Sequence, residues 1–202
     1  MPVGEGWDFT VMIPDGWYLR EIDWSKREQD IAAFVDEMIA NDPDLAGQRA
    51  DMIERFEVFS KDADDKMALI AAMLWDTSGE VPIAADIRIH ESLREAPETI
   101  ERELDLLQEM AGRSEPGDLG PREVQLVDLP AGRAVRLRVL AETEADAKGD
   151  TIALDVVQHW VPVPERAEMI VISSSTPNLV FADDIVKAFD AVAETLEFHD
   201  TD

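Results

Sequence analysis

Gln158–Pro164 (QHWVPVP), Glu168–Thr176 (EMIVISSST), Pro177-Asn178 and Asp183–Phe198 (DDIVKAFDAVAETLEF) read as strand, turn, strand, turn and closing helix. The helical assignment rests on Ile185, Phe189, Val192 and Leu196, which recur at the 3.6-residue period and so share one face. Two strands joined by a short turn must pair antiparallel, and a helix with one apolar stripe must lay that stripe on them. The stretch therefore specifies an α+β domain.

Working upstream, Thr151–Val161 pairs with Glu168–Ser175 across residues 162–167, and Glu123–Leu129 and Arg133–Leu140 flank the turn Pro130–Gly132 as a hairpin. In that hairpin Val135, Leu137 and Val139 point one way. Glu142–Asp150 reads as an acidic loop. Pro97 opens a helix with the stripe Ile100, Leu104, Leu107 and Ala111, ended by Gly112. Met67–Trp75 is apolar on both faces, as a central strand is, and Thr77–Glu80 reverses the chain. Ile83–Ile89 then alternates, leaving Ala84, Asp86, Arg88 and His90 on its polar side.

At the other end, Asp8–Ile13 is a strand closed by Pro14-Asp15-Gly16, and Trp17–Trp24 continues as a second short strand. Ser25 with Glu28 matches a capping box for a helix whose stripe is Ile31, Phe34, Val35, Met38 and Ile39. After Asn41-Asp42-Pro43 a second helix is expected over residues 43–60, and the acidic Asp62–Lys66 reads as a polar turn. The whole predicts a single α+β domain over residues 1–202, with a helical hairpin at about 25–60. Its sheet is mainly antiparallel, six- or seven-stranded, with helices on both sides.

With 46% hydrophobic and 31% charged residues the chain is globular in composition rather than disordered. Its formal charge of −27, from 45 acidic and 18 basic residues, argues against nucleic acid and anionic membranes as partners. The absence of cysteine removes disulfides and thiolate chemistry. The apolar run Met67–Trp75 is far short of the roughly 20 residues that cross a bilayer. The opening MPVGEGWDFTVMIPDGW has neither a basic segment nor an uninterrupted apolar one, which predicts no secretory signal and a cytoplasmic protein.

The strand-Pro-x-Gly-Trp entry over Trp7–Trp17, the VPVP turn, the strand ending Ser-Ser-Thr-Pro and the FDAVAETLEF helix resemble the PsbP-like superfamily. Its DcrB-type and LpqN-type branches, and uncharacterised actinobacterial members, are the most similar. The resemblance covers the opening strand and about the last 80 residues. Two departures stand out: LpqN-type members carry an export signal, and the helices from Ser25 to Ser60 are long for the simplest members. What the resemblance implies is an α/β/α sandwich with a binding or chaperone role and no shared active site. Type VI effector chaperones of this fold suggest a secretion- or toxin-system client.

The candidate constellations agree with that restraint. Asp62, Asp64 and Asp65 lack the glycine and distal glutamate of an EF-hand loop, and Ser173–Thr176 lacks a nucleophile elbow. No catalytic residue, metal ligand or cofactor is assigned. A hydrolase or metal-dependent enzyme using His90, His159 and nearby acids is the weaker alternative. His199 lies in the terminal tail. The polar strand positions Arg88, Arg136, Arg138 and His159, with Asp86 and Asp155, are expected to collect on one sheet face, either as cross-strand ion pairs or as an electropositive binding patch. Trp75 reads as core; Trp7, Trp17, Trp24 and Trp160, near strand ends or turns, read as a satellite packing cluster, with a partner-binding rim as the alternative and Trp160 its binding candidate. The function expected is a non-enzymatic adaptor or chaperone for a protein with a basic or apolar segment. A small-molecule module in a sheet-helix groove is the alternative, and an enclosed pocket would favour it.

Overall fold

The computed structural model describes residues 6–21, 23–77, 81–93, 99–142 and 151–200, apart from the side chain of Trp24. Its strands are β1 (Trp7–Thr10), β2 (Tyr18–Leu19), β3 (Ile70–Asp76), β4 (Ile83–Leu93), β5 (Glu123–Leu129), β6 (Gly132–Glu142), β7 (Ala153–Pro162), β8 (Glu168–Thr176) and β9 (Glu197–Asp200). The α-helices are α1 (Trp24–Asn41), α2 (Arg49–Asp65), α3 (Ile100–Ala111) and α4 (Ala182–Ala193), with 3-10 turns at Pro43–Gln48 and Leu179–Phe181. The main sheet has seven strands in the order β2-β3-β4-β8-β7-β6-β5, and every pairing is antiparallel. The expected α+β class is therefore observed, with the strand count at its upper value.

One sheet face carries Ile87, Ile89, Ile170, Ile172, Val157 and Val161. It is covered by α4 through Ile185, Phe189 and Val192, by Leu196 just beyond the helix, and by Trp7 and Phe9 of β1. The opposite face is covered in two separate places. The α1/α2 hairpin packs Ile31, Val35, Met52, Phe56 and Phe59 on Tyr18, Ala71, Met73 and Trp75. Farther across the sheet, α3 packs Leu104, Leu107 and Ala111 on Val135, Leu137 and Val139. Helices thus lie on both sides, as the sequence predicts.

Three local expectations are corrected. Asp23, not Ser25, caps α1, and it accepts from both the Ser25 backbone N–H at 3.0 Å and the Ser25 hydroxyl at 2.7 Å. The second helix begins at Arg49, after a 3-10 turn, and runs through the acidic segment to Asp65. Carboxylates at a helix C-terminus are disfavoured by the helix dipole. Here cations offset them: Asp64 pairs with the buried Arg20 and Arg27, and Asp62 pairs with Lys66 and Arg88 at 3.1 Å each. The helix then stops at Met67, which takes a left-handed φ of 55°. Finally, the chain adds a strand where a tail is expected, since β9 pairs with β1 and His199 meets the Thr10 hydroxyl at 2.8 Å. The reversal at 78–80, the start of the third helix at Pro97 and the acidic loop at 143–150 lie outside the described residues.

Candidate functional site

Cross-strand register decides which polar side chains meet. Arg88 is opposite Ser173, Ser173 opposite Gln158, and Gln158 opposite Leu137. Directly paired residues share a face, so Arg88 points with Leu137 toward the α1/α2 and α3 layer. Arg136 is opposite His159, and His159 opposite Ile172, so these point toward α4. The expected single arginine face is thereby corrected. Arg88 and Trp160 occupy one side of the sheet, and Arg136, Arg138 and His159 the other, because the period of two places residues of odd and even register on opposite surfaces.

On the α4 side every candidate is engaged in an ion pair. Arg136 donates from Nε and Nη2 to Asp190 at 2.7 and 3.0 Å, and His159 Nε2 lies 3.1 Å from the same carboxylate. Burial alone would raise the Asp190 pKa, but hydrogen bonds from His159 and Arg136 outweigh it and hold the carboxyl below its ordinary value. Arg138 bridges Asp155 and Asp183, both at 2.7 Å, and its pKa is raised chiefly by the bond to Asp155. These residues floor an open polar recess of about 680 Å3 whose rim adds Glu123, Asp128 and Glu194. Acids outnumber bases there, and both arginines are paired with carboxylates of the chain itself.

The other side is less completely covered. Between the helical hairpin and α3, the side chains of Asp86, Arg88, His90, Val171, Ser173, Ser175, Gln158 and Trp160 are only partly buried. At the hairpin end of this trough α2 presents Arg55, Val58, Phe59 and Asp62, spaced i, i+3, i+4, i+7 and hence on one face. Opposite them stand Met73, Trp75, Asp86, Arg88 and Pro177, enclosing about 330 Å3 in an open cleft. Arg88 lies over the Phe59 ring at 5.2 Å and reaches Asp86 Oδ1 at 2.9 Å; Arg55 lies over Trp75 at 4.9 Å. The Ser175 hydroxyl donates to Asp86 Oδ2 at 2.5 Å, yet burial dominates and raises the Asp86 pKa. Burial likewise lowers the His90 pKa.

Next to this cleft the chain exposes three consecutive apolar residues, Leu179 at 43%, Val180 at 90% and Phe181 at 39%. Asn178 anchors them: its amide donates to the Pro82 carbonyl and its oxygen accepts from the Ala84 N–H, both at 2.7 Å. That link brings the exposed Val81 to the same end of the sheet, while Pro177 and the exposed Val58 belong to the cleft itself. Sequence reasoning missed this patch. Its signal was Leu179-Val180-Phe181 between the strand and the helix, where a connection is ordinarily polar.

The tryptophans mostly pack. Trp7 is buried against Phe198, Trp17 meets Phe189 edge to face, and Trp160 packs against the α3 cluster. Trp75 is partly buried and lines the cleft.

No protein-family model matches the chain, and no curated protein matches it. Among solved structures it is similar to LpqN of Mycobacterium tuberculosis, described as involved in cell envelope biogenesis. The alignment covers 98% of this chain and 87% of LpqN, at 8% identity and a TM-score of 0.51. The two share a fold. Among the described residues no helix is long and apolar enough to cross a membrane, and no group of three or more His, Asp or Glu is placed to hold a metal ion.

Proposed function

We propose that this protein is a non-catalytic adaptor or chaperone, of the PsbP-like group, that docks a segment of another protein on the surface formed by Leu179–Phe181, Val81 and the α2 cleft. The observation that supports this reading is the exposed apolar run Leu179-Val180-Phe181, anchored by Asn178 and following directly on Pro177, which lines the cleft together with Val58. Exposed contiguous apolar surface rimmed by charge is characteristic of protein docking sites. The clefts are open rather than enclosed, which favours a protein segment over a sequestered small molecule. The acidic exterior favours a basic flank on that segment, which it would steer toward the surface.

The partner we have in view is a component of a secretion or toxin system, and the compartment is the cytoplasm. Affinity capture from the native cell, with wild type and with the double variant Leu179→Glu, Val180→Glu, tests the reading. A protein with a basic, apolar segment is expected with the wild type and lost with the variant. Capture that the variant leaves unchanged, or no enriched protein, would overturn it. Fractionation of the same cells tests the compartment, and recovery with the envelope would contradict it.

A further inference from the structure

The cleft between α2 and the β3–β4 strands differs from the rest of this acidic molecule in its charge. Arg55 and Arg88 stand there against Asp62 and Asp86, so two cations meet two carboxylates in a chain that is otherwise strongly acidic, and Lys66 adds a further cation beside Asp62 from outside the lining. The pairs are Arg88 with both acids and Lys66 with Asp62. Arg55 has no carboxylate within ion-pair distance among the described residues, although acidic residues outnumber basic ones 45 to 18 in the chain. It is held instead over the Trp75 ring at 4.9 Å, at the solvent edge of the cleft. A cation–π contact of this kind holds the guanidinium near the ring without using its N–H donors on an acid, and a guanidinium with free donors can take a carboxylate in a two-pronged bond.

Behind Arg55 the walls are apolar: Val58, Phe59, Met73, Trp75 and Pro177. The floor retains some unmet hydrogen-bonding capacity, since Arg88 Nε is buried without a hydrogen bond among the described residues. A volume of about 330 Å3 lies at the lower end of ligand pockets and accommodates an aromatic ring with a short chain.

We infer that this cleft is a binding site for an apolar monocarboxylate, with Arg55 clasping the carboxylate at the rim and the apolar body lying against Phe59, Met73 and Trp75. The same chemistry is offered by a free aryl-alkanoic acid and by the C-terminus of a protein chain ending in apolar residues. The negative exterior opposes either anion only weakly. Exposed charges more than about 8 Å away are screened at physiological salt, and the cleft's own carboxylates, Asp62 and Asp86, are paired with Arg88 and Lys66. The cleft is shared with the docking surface proposed above, but the two readings fail separately: that docking is tested at Leu179 and Val180 and requires neither Arg55 nor a carboxylate.

Calorimetric titration of the full chain tests it with four probes: phenylbutyrate, its amide, an apolar hexapeptide with a free C-terminal carboxylate, and the same peptide amidated. At least one acid is expected to bind about tenfold more tightly than its amide, the discrimination a charge-assisted pair supplies. Arg55→Gln, at an exposed helix position, should erase that preference without shifting the melting temperature, and Arg55→Lys should restore part of it. Which acid binds more tightly identifies the source. Binding of neither acid, equal binding of acid and amide, or an undiminished preference in Arg55→Gln would overturn the proposal.

Discussion

Asp190 and Asp86 are both carboxylates facing an arginine, and their environments push them in opposite directions. Asp190 receives Arg136 and His159 and is held below its ordinary pKa; Asp86 has Arg88 and Ser175, but burial prevails and raises it. A depressed carboxylate stabilises the fold fully above its unfolded pKa of about 3.9, and that contribution drains as pH falls through the folded value. Asp190→Asn is therefore expected to lower stability at pH 7 by about 1–2 kcal/mol, discounted for the partial exposure of the carboxylate, with the difference closing in acid. Asp86→Asn should do the reverse. A raised carboxylate penalises the fold as pH climbs from its unfolded toward its folded pKa, so the amide variant should be the more stable protein at pH 7 and lose that advantage below about pH 4. Urea denaturation of both variants across pH 3–8 checks the pair, and the same sign for both would contradict the assignment.

At the scale of the element, α2 is the helix whose existence is easiest to explain after the fact. Its inner stripe, Met52, Phe56 and Phe59, was legible from the 3.6-residue period. Its last turn was not. Asp62, Asp64 and Asp65 read as a turn because local propensity and the dipole disfavour acid there, and the cations that reverse the preference come from distant Arg20, Arg27 and Arg88. Asp64→Ala takes from Arg20 its only ion-pair partner among the described residues. A loss of about 3–5 kcal/mol is expected, the cost of an uncompensated buried charge, measured by chemical denaturation. Met67, at φ 55° and largely exposed, offers the opposite test. Met67→Gly relieves a left-handed conformation that costs a side chain about 1–2 kcal/mol, against a smaller entropic loss, and should stabilise by about 0.5–1 kcal/mol.

The same division between local and distant information separates what the sequence disclosed of the sheet from what it hid. Hairpin turns and alternation identified the strands β4 to β8 and the β5–β6 and β7–β8 hairpins, and the stripe of α4 identified its buried face; the pairing of β4 with β8 was not legible. Sidedness across strands was different. Arg88 and Arg136 each lie on the polar side of their own strand, yet register carried through β8 and β7 sends them to opposite faces. No local pattern encodes that register. The candidate site was hidden for a related reason: Arg55 and Trp75 lie on different elements, and only the packing of α2 on β3 brings the guanidinium over the ring.

For the whole molecule, the layers divide the work. One sheet face is covered by α4 and the β1–β9 pair, with an open polar recess beside α4; the other is covered by two helical units with a partly open trough between them, and the exposed apolar turn follows Pro177 of the cleft at its hairpin end. With a charge of −27, the molecule repels other acidic surfaces and favours a basic one, so on the proposed reading a docking segment is selected by charge and held by apolar contact. The central claim is that Val180 and its neighbours form this contact surface in the cell. Its most direct test replaces Val180 with a photo-crosslinking amino acid in the native organism, and Glu109 on α3 as the control position. A discrete adduct with one protein, mapped to a basic and apolar segment, is predicted at position 180 and not at 109. No adduct at 180, or the same adducts at both positions, would contradict the account.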